Sequence, residues 1–563
     1  MIKRTISLLL IISMCISFIL PVVAQKGDKG YCPTIVMPGI GQSRLVFSNS
    51  NSQGGKYAFP LEIDTSSLLK SVSFSILTSL FTGGGSALNA AVESAVSDII
   101  EPFKLNDDGS FVNEIEAQSY YYPYSHCNED EKKYINSNIP FERITQQVRD
   151  DYLYYFAYNF FAAPYDNAQL LNEYIQTVKA QTGERKVNIL AGSQGATILT
   201  AYLDEFGSDC LNKVVYIVPA IQGSSSASDI YLNRFNYDDK ILYDKLFNSI
   251  FDDGLGDVIS VLFRLIPKSV FIKLFESIVN QLIEDCASNS AGLIAFIPPE
   301  HYQQVAQMHL LGPESAQLRA QTDKYYNAQS NINSIISDAK ANGVKFFNIC
   351  GYDSELFALL ESGRTNDSDQ IVDLKYGSIG ATVANIGETL PSGYTQQNLY
   401  CTCGRNHISP DNRIDASTGI LCDTTWFFKG QVHGVISRND VIITLATKIL
   451  SEDSIINVYS DKNFPQFNEA RESNKTRGMI SQANEVDAQL LSQENARELQ
   501  EALAECENLM NNTVVNADEF YGAQDRLENI LIKIGEIESN EKSETIKIIF
   551  RVFSLVKNIL LKV

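Results

Sequence analysis

Three residues of this chain have the types and neighbours that acyl transfer requires, and the first is Ser193. It sits in VNILAGSQGAT (residues 187–197), which reads as a short apolar strand, a tight turn and the start of a helix that continues as ATILTAYLDEF (196–206). A serine hydroxyl is a weak nucleophile until a neighbouring base takes its proton. A sharp strand-to-helix turn of the form G-x-S-x-G lifts such a serine clear of a sheet. Small neighbours are needed, because the serine backbone is strained and the helix passes close to the strand. Gly192 and Gly195 meet that need here, and Ala191 stands at the first glycine position. An ordinary glycine-rich turn would show the same residues, so the serine alone does not decide the chemistry.

The base should be a histidine, and the chain has only five. FFKGQVHGVISRNDVIITLATKI (427–449) places His433 in a glycine loop, between a strand-like aromatic pair and a helix opened by Asn439 or Asp440. A loop between the last strand and the last helix is the general-base position of a hydrolase sheet. His126, His301 and His309 fall in segments read as insertion or cap, and His407 lies in a polar loop beside cysteines. The carboxylate that orients the histidine belongs in a loop after a late strand. VKFFNIC (344–350) is such a strand, and TNDSDQIVDLKYGSIGAT (365–382) follows it. Asp369 is the first choice, because Ile371 and Val372 would anchor it; Asp353 and Asp367 are rivals. Serine, acid, histidine is the chain order of the α/β-hydrolase fold and differs from that of the two main serine-protease folds.

The elements around these residues fit that order. CPTIVMPGIGQSRL (32–45) reads as a buried strand ending in a loop with two glycines, whose backbone N–H groups could turn toward a ligand. YLYYFAYNFF (152–161) is strand-like, and NAQLLNEYIQTVKAQT (167–182) is an amphipathic helix ended by Gly183. A further strand is expected at 213–218. Strands alternating with helices give a parallel sheet with helices on both faces. The alternation stops over 224–342, read as a helical cap or lid, with a helical layer on the sheet as the alternative. Residues 46–150 are read as an insertion covering part of the site.

At 563 residues the chain exceeds one compact domain. The expected organisation is a signal peptide at 1–24, an α/β core in two parts (25–223 and 343–452), the helical cap at 224–342, and a C-terminal helical bundle with an amphipathic tail at 465–563. Lys3 and Arg4 precede an apolar run over 6–20, and Val22-Val23-Ala24 offers a cleavage site, so the protein is expected to be secreted or displayed at the cell surface. The net charge of −22 argues against nucleic-acid binding, which needs a basic face. Of ten cysteines, Cys15 lies in the leader, which leaves nine, an odd number. Cys401, Cys403 and Cys422 are the densest group; without a C-x-x-C pair, a local disulfide is expected there rather than zinc. TIKIIFRVFSLVKNILLKV (545–563) has a polar stripe at Lys547, Arg551, Ser554 and Asn558, which suits either a membrane surface or packing on the bundle.

With these residues in view, the stretch from 31 to 450 resembles the lipase and lecithin:cholesterol acyltransferase-like branch of the α/β-hydrolases. Pro38-Gly39-Ile40-Gly41-Gln42-Ser43-Arg44-Leu45 is similar to that branch's P-G-x-x-G-x-x-L loop, with the internal glycine one place early. Tyr165-Asp166-Asn167-Ala168 is similar to its Y-D-W-R segment but lacks the tryptophan and arginine. Asp369-Gln370-Ile371-Val372 matches D-x-x-V, His433 matches the late histidine, and Gln194 resembles the S-Q-G elbow of cutinases. The resemblance implies hydrolysis or transfer of an acyl ester, most simply a lipid. Ser193 would be the nucleophile, with main-chain N–H groups of Ile40 and Gln194 as the oxyanion hole, and neither metal nor organic cofactor is called for. Two other readings stay open: a non-catalytic surface binding protein on a hydrolase fold, and a non-lipid carboxylesterase or peptidase.

Overall fold

Seven strands share one sheet: β1 Thr34–Met37, β2 Leu153–Tyr155, β3 Val187–Gly192, β4 Leu211–Ile217, β5 Lys345–Tyr352, β6 Thr425–Lys429 and β7 Phe467–Glu469. Their order across the sheet is β7-β6-β5-β4-β3-β1-β2, and every neighbouring pair is parallel. The structure, a computed structural model, describes residues 31–48, 57–60, 90, 93–94, 96–97, 100–239, 241–245, 264, 267–357, 359–469, 479–484, 486, 491–511 and 517–535. The signal peptide and the amphipathic tail expected from the sequence lie outside the described residues.

A parallel sheet buries both faces, and its strands are therefore apolar throughout. Successive side chains go to opposite faces, and the core divides accordingly. Ile35, Met37, Ile189, Ala191, Val214, Tyr216 and Phe346 belong to one buried cluster. Val36, Leu190, Val215, Phe347, Trp426 and Phe428 belong to the other. On the first face lie α1 (Pro164–Thr182) and α2 (Gly195–Phe206), through Leu171, Ile175, Val178, Ile198 and Tyr202. α1 has proline in its first turn and ends at Gly183, whose φ of 74° closes it in the left-handed region.

A helical insertion follows β4. Its last two helices, α3 (Ala316–Ser330) and α4 (Ile332–Ala341), pack on α2 as a layer, with Tyr325, Ile332, Ile336 and Ala339 in the first cluster. The remainder includes Lys268–Asp285, and Pro299–His309, which packs in a separate core of Tyr231, Ile294, Tyr302 and Val305. On the second face lies α5 (Asp440–Ser451), through Val441, Ile442, Leu445 and Ile449. The C-terminal pair α6 (Gln493–Asn511) and α7 (Ala517–Lys533) pack on each other through Leu499, Ala502, Cys506, Leu527 and Leu531. One boundary needs correction. Residues 467–469 fall within the stretch expected to be a helical bundle, yet they form β7, because Phe467 stacks on Phe427 across the β6 register.

Lys213 on β4 is almost fully buried, and its ammonium donates to the carbonyls of Ile449 (2.9 Å) and Glu452 (3.0 Å) at the end of α5. The last carbonyls of a helix lack intrahelical partners and attract cations, so this one side chain ties the final helix to the middle of the sheet. Lys213→Met keeps the apolar stem and removes the donors. It should cost about 1–3 kcal/mol, read as a lower urea midpoint by circular dichroism of the full chain; an unchanged midpoint would mean that water satisfies those carbonyls equally well.

Candidate active site

Ser193 stands between β3 and α2 with φ at 45°, in the region that non-glycine residues avoid. Its amide donates to Ile217 O (3.0 Å), and its carbonyl accepts from Ala196 (3.1 Å) and Ala220 (3.2 Å). These bonds fix the turn on three sides. A side chain at Gly195 would put Cβ 2.9 Å from Met37 O, so only glycine lets α2 start this close to β1. Ala191, the departure from the usual motif, lies in the strand itself, fully buried and paired with Met37 and Tyr216. A methyl group fits there without disturbing the turn.

His433 opens a short 3₁₀ turn after β6. Its Nε2 is 2.9 Å from Ser193 Oγ, and its Nδ1 is 2.8 Å from Asp369 Oδ2. An ionised carboxylate has no proton to give, so Nδ1 carries the hydrogen and Nε2 faces the serine as an acceptor. Asp369 is buried, and its other oxygen accepts from the amides of Val372 (2.8 Å) and Ile371 (3.1 Å). The His433 amide in turn donates to Asp369 O (2.8 Å). Gly351 at the end of β5 makes room for this arrangement, since a Cβ there would fall 2.4 Å from Gln431 O and 3.0 Å from Asp369 Cβ. The structure thus brings together Ser193, Asp369 and His433. The rival acids turn elsewhere: Asp367 pairs with Arg413 at 2.8 Å, and Asp353 pairs with the same guanidinium. Burial pushes the Asp367 carboxyl up to about 6 in spite of that arginine.

The loop after β1 is held from below by two buried tyrosines. Tyr158 donates to Pro38 O (2.5 Å) and Tyr155 donates to Gln42 O. Gln42 Oε1 accepts from the Gly39 amide (2.7 Å). From sequence the aromatic run 152–161 reads only as a strand, and its part in holding this loop goes unseen. Ile40 is exposed and borders the same cavity as Ser193 and His433. The Gln194 side chain points away, donating to Phe160 O (2.8 Å), which leaves its main chain as the part that could act on a substrate.

That cavity holds about 270 Å³ and is walled by Ile139, Ile144, Leu190, Ile217, Val218, Ile436 and Ile443, with Gln42, Asn138 and Ser437 as polar members. It is just below the usual size of a small-molecule site, about 300–1,000 Å³. Ile139 and Ile144 come from the 46–150 insertion, whereas no described residue of 224–342 borders the cavity. The expectation that the large helical insertion would supply the apolar cover is therefore not met among the described residues.

The disulfide expected among Cys401, Cys403 and Cys422 is not formed. All nine described cysteines are free thiols, and the sulfurs of Cys401 and Cys403 are 3.1 Å apart, against about 2.05 Å for a bond. Cys403 Sγ also meets His407 Nε2, at 3.0 Å.

No family model matches the chain, and no curated protein sequence does. Among solved structures, the Tle4–Tli4 complex is similar at 12% identity, over 59% of this chain and 77% of that one, with a TM-score of 0.26. Phospholipase PlaB from Legionella pneumophila is similar at 14% identity, over 46% of this chain and 43% of that one, with a TM-score of 0.24. Overlaps this slight carry no weight for activity, and the chemistry has to come from the site.

The hydrogen bonds separate the three acids by their effects. Asp369→Asn should lower kcat on a p-nitrophenyl ester by about 10⁴-fold, by reversing the histidine tautomer, with the circular dichroism spectrum unchanged. Asp367→Asn should leave kcat near that of the unsubstituted chain. The reverse pattern would assign the acid to Asp367.

Proposed function

We propose that this chain is a serine hydrolase of carboxylic esters with an apolar acyl part, of the lipase, phospholipase or acyltransferase kind, working through an acyl-enzyme. The observation that supports it most is the Ser193–His433–Asp369 hydrogen-bond chain at the mouth of an aliphatic cavity. His433 Nε2 takes the proton of Ser193 Oγ as that oxygen attacks the ester carbon. Asp369 stabilises the imidazolium so formed. The main-chain N–H groups of Ile40 and Gln194 receive the oxyanion, each such donor being worth about 3–4 kcal/mol. The tetrahedral species then collapses, and His433 returns the proton to the departing alcohol. Water, activated by the same histidine, releases the acid; an alcohol in its place makes the reaction a transfer.

The walls speak for an alkyl chain. Ile139, Ile144, Ile217, Ile436 and Ile443 offer aliphatic surface with few polar atoms, and each methylene buried there gains about 0.8 kcal/mol, or roughly fourfold in affinity. Export to the cell surface or beyond belongs to the same proposal and is supported by Lys3, Arg4 and the apolar run that follows.

Labelling the full chain with a fluorescent fluorophosphonate, beside Ser193→Ala and His433→Ala, tests the mechanism. Signal in the unsubstituted chain and none in either variant is expected. A p-nitrophenyl ester series should then show kcat/KM rising about fourfold per methylene until the cavity is full. A folded, unlabelled wild-type chain would sink the enzyme reading and favour a binding protein on this fold.

A further inference from the structure

Away from Ser193, the excursion between β5 and β6 gathers a second set of reactive side chains. Cys401, Cys403 and His407 have their ligand atoms within 4.8 Å of one another. Cys401 and His407 are buried, and Cys403 is exposed. A third thiol, that of Cys422, is also buried and lies beside Cys401, outside that 4.8 Å group. Cys422 lies three residues ahead of β6.

The histidine is set up as a metal ligand would be. His407 Nδ1 is 2.7 Å from Gln466 Oε1. The amide of Gln466 cannot be turned over without loss, because its Nε2 donates to Cys422 O (2.8 Å) and Thr425 O (3.2 Å). Oε1 therefore accepts, Nδ1 carries the proton, and the free lone pair of Nε2 points at Cys403 Sγ, 3.0 Å away. Tyr459 OH also reaches Nε2, at 3.1 Å. Metal-bound histidines commonly give their other ring N–H to such an outer acceptor. Two main-chain amides also point at the sulfurs, Cys403 N at Cys401 Sγ (3.5 Å) and Arg405 N at Cys403 Sγ (3.4 Å).

We propose that Cys401, Cys403, His407 and Cys422 bind one zinc ion in a closed, structural site. Tetrahedral zinc with bonds of about 2.3 Å to sulfur and 2.0–2.1 Å to nitrogen holds sulfurs about 3.8 Å apart and a sulfur and nitrogen about 3.6 Å apart. The observed 3.1 and 3.0 Å lie within a small rotamer adjustment of that geometry for three ligands, and the Cys422 thiol beside Cys401 would turn in as the fourth. Binding displaces the three thiol protons, and neutral His407 contributes only its lone pair, so Zn²⁺ and three thiolates leave a net charge of −1. Four protein ligands leave no open position, so the ion would be a clamp. It would fasten the 401–422 excursion to the start of β6, the strand that delivers His433, and it is independent of the ester chemistry.

The test uses the full chain, reduced and purified without chelator. Elemental analysis should find one zinc per chain, and exchange with Co²⁺ should give thiolate-to-cobalt charge-transfer absorption with the visible bands of a tetrahedral ion. Because Cys403 is exposed, Cys403→Ser should stay folded and lose the metal. Gln466→Ala, which keeps all four ligands, should weaken zinc binding by about 10–100-fold. Failure of the folded, reduced wild-type chain to bind either ion would overturn the proposal. So would a disulfide joining any two of Cys401, Cys403 and Cys422 in non-reducing peptide mapping.

Discussion

The strained backbone of Ser193 is the constraint on which the site depends. A non-glycine residue at positive φ costs about 1–3 kcal/mol, and here the turn is held by three hydrogen bonds to its own main chain. It also demands space. The helix that follows must start against β1, and the loop after β1 must pass the serine itself, where a Cβ at Gly39 would meet Ser193 Cβ at 3.1 Å. Gly39, Gly195 and Gly351 are thus three answers to one problem: strand ends carrying reactive groups converge more closely than side chains allow. Replacing the first glycine of the elbow by Ala191 is harmless because that position lies in the sheet, before the crowding begins.

Rigidity below the site comes from polar groups placed in an apolar core. Tyr155 and Tyr158 are buried, and burial raises both hydroxyls well above their ordinary range, so they stay protonated and act as fixed donors to the loop above. A buried hydroxyl without a partner would be costly. The loop satisfies the tyrosines, and the tyrosines hold the loop.

How much of this was legible in the sequence follows from which features are local. The elbow was legible because strand, serine and glycine are contiguous, and His433 because histidines are scarce and its loop lies between a strand and a helix. Asp369 was separable from Asp367 and Asp353 only through Ile371 and Val372, whose amides do bind its carboxylate. The cavity walls could not be read, since Ile139, Ile144, Ile436 and Ile443 are brought together across some three hundred residues of chain. α3 and α4 look alike whether they cover a substrate or a sheet, because an amphipathic helix reports that one face is buried and not what buries it. β7 is too short to leave a periodic trace. The cysteines misled because spacing alone does not show that the His407 ring turns its Nε2 onto Cys403 Sγ.

The acidic loop illustrates a last point of design. Asp367 is buried, and Asp353 and Asp411 press on it as like charges. Arg413, itself nearly buried, resolves this by taking Asp367 and Asp353 together. The same arginine sits six residues beyond His407, and its loop pairs back through Ala416 N to His407 O (2.9 Å). The acid loop is therefore anchored to the excursion that also holds the cysteine and histidine cluster. That excursion ends at β6, whose far end delivers His433. Acid and base are set from the two ends of one polar scaffold, and among the described residues His433 is the one basic side chain paired with Asp369, whose other oxygen takes the Ile371 and Val372 amides.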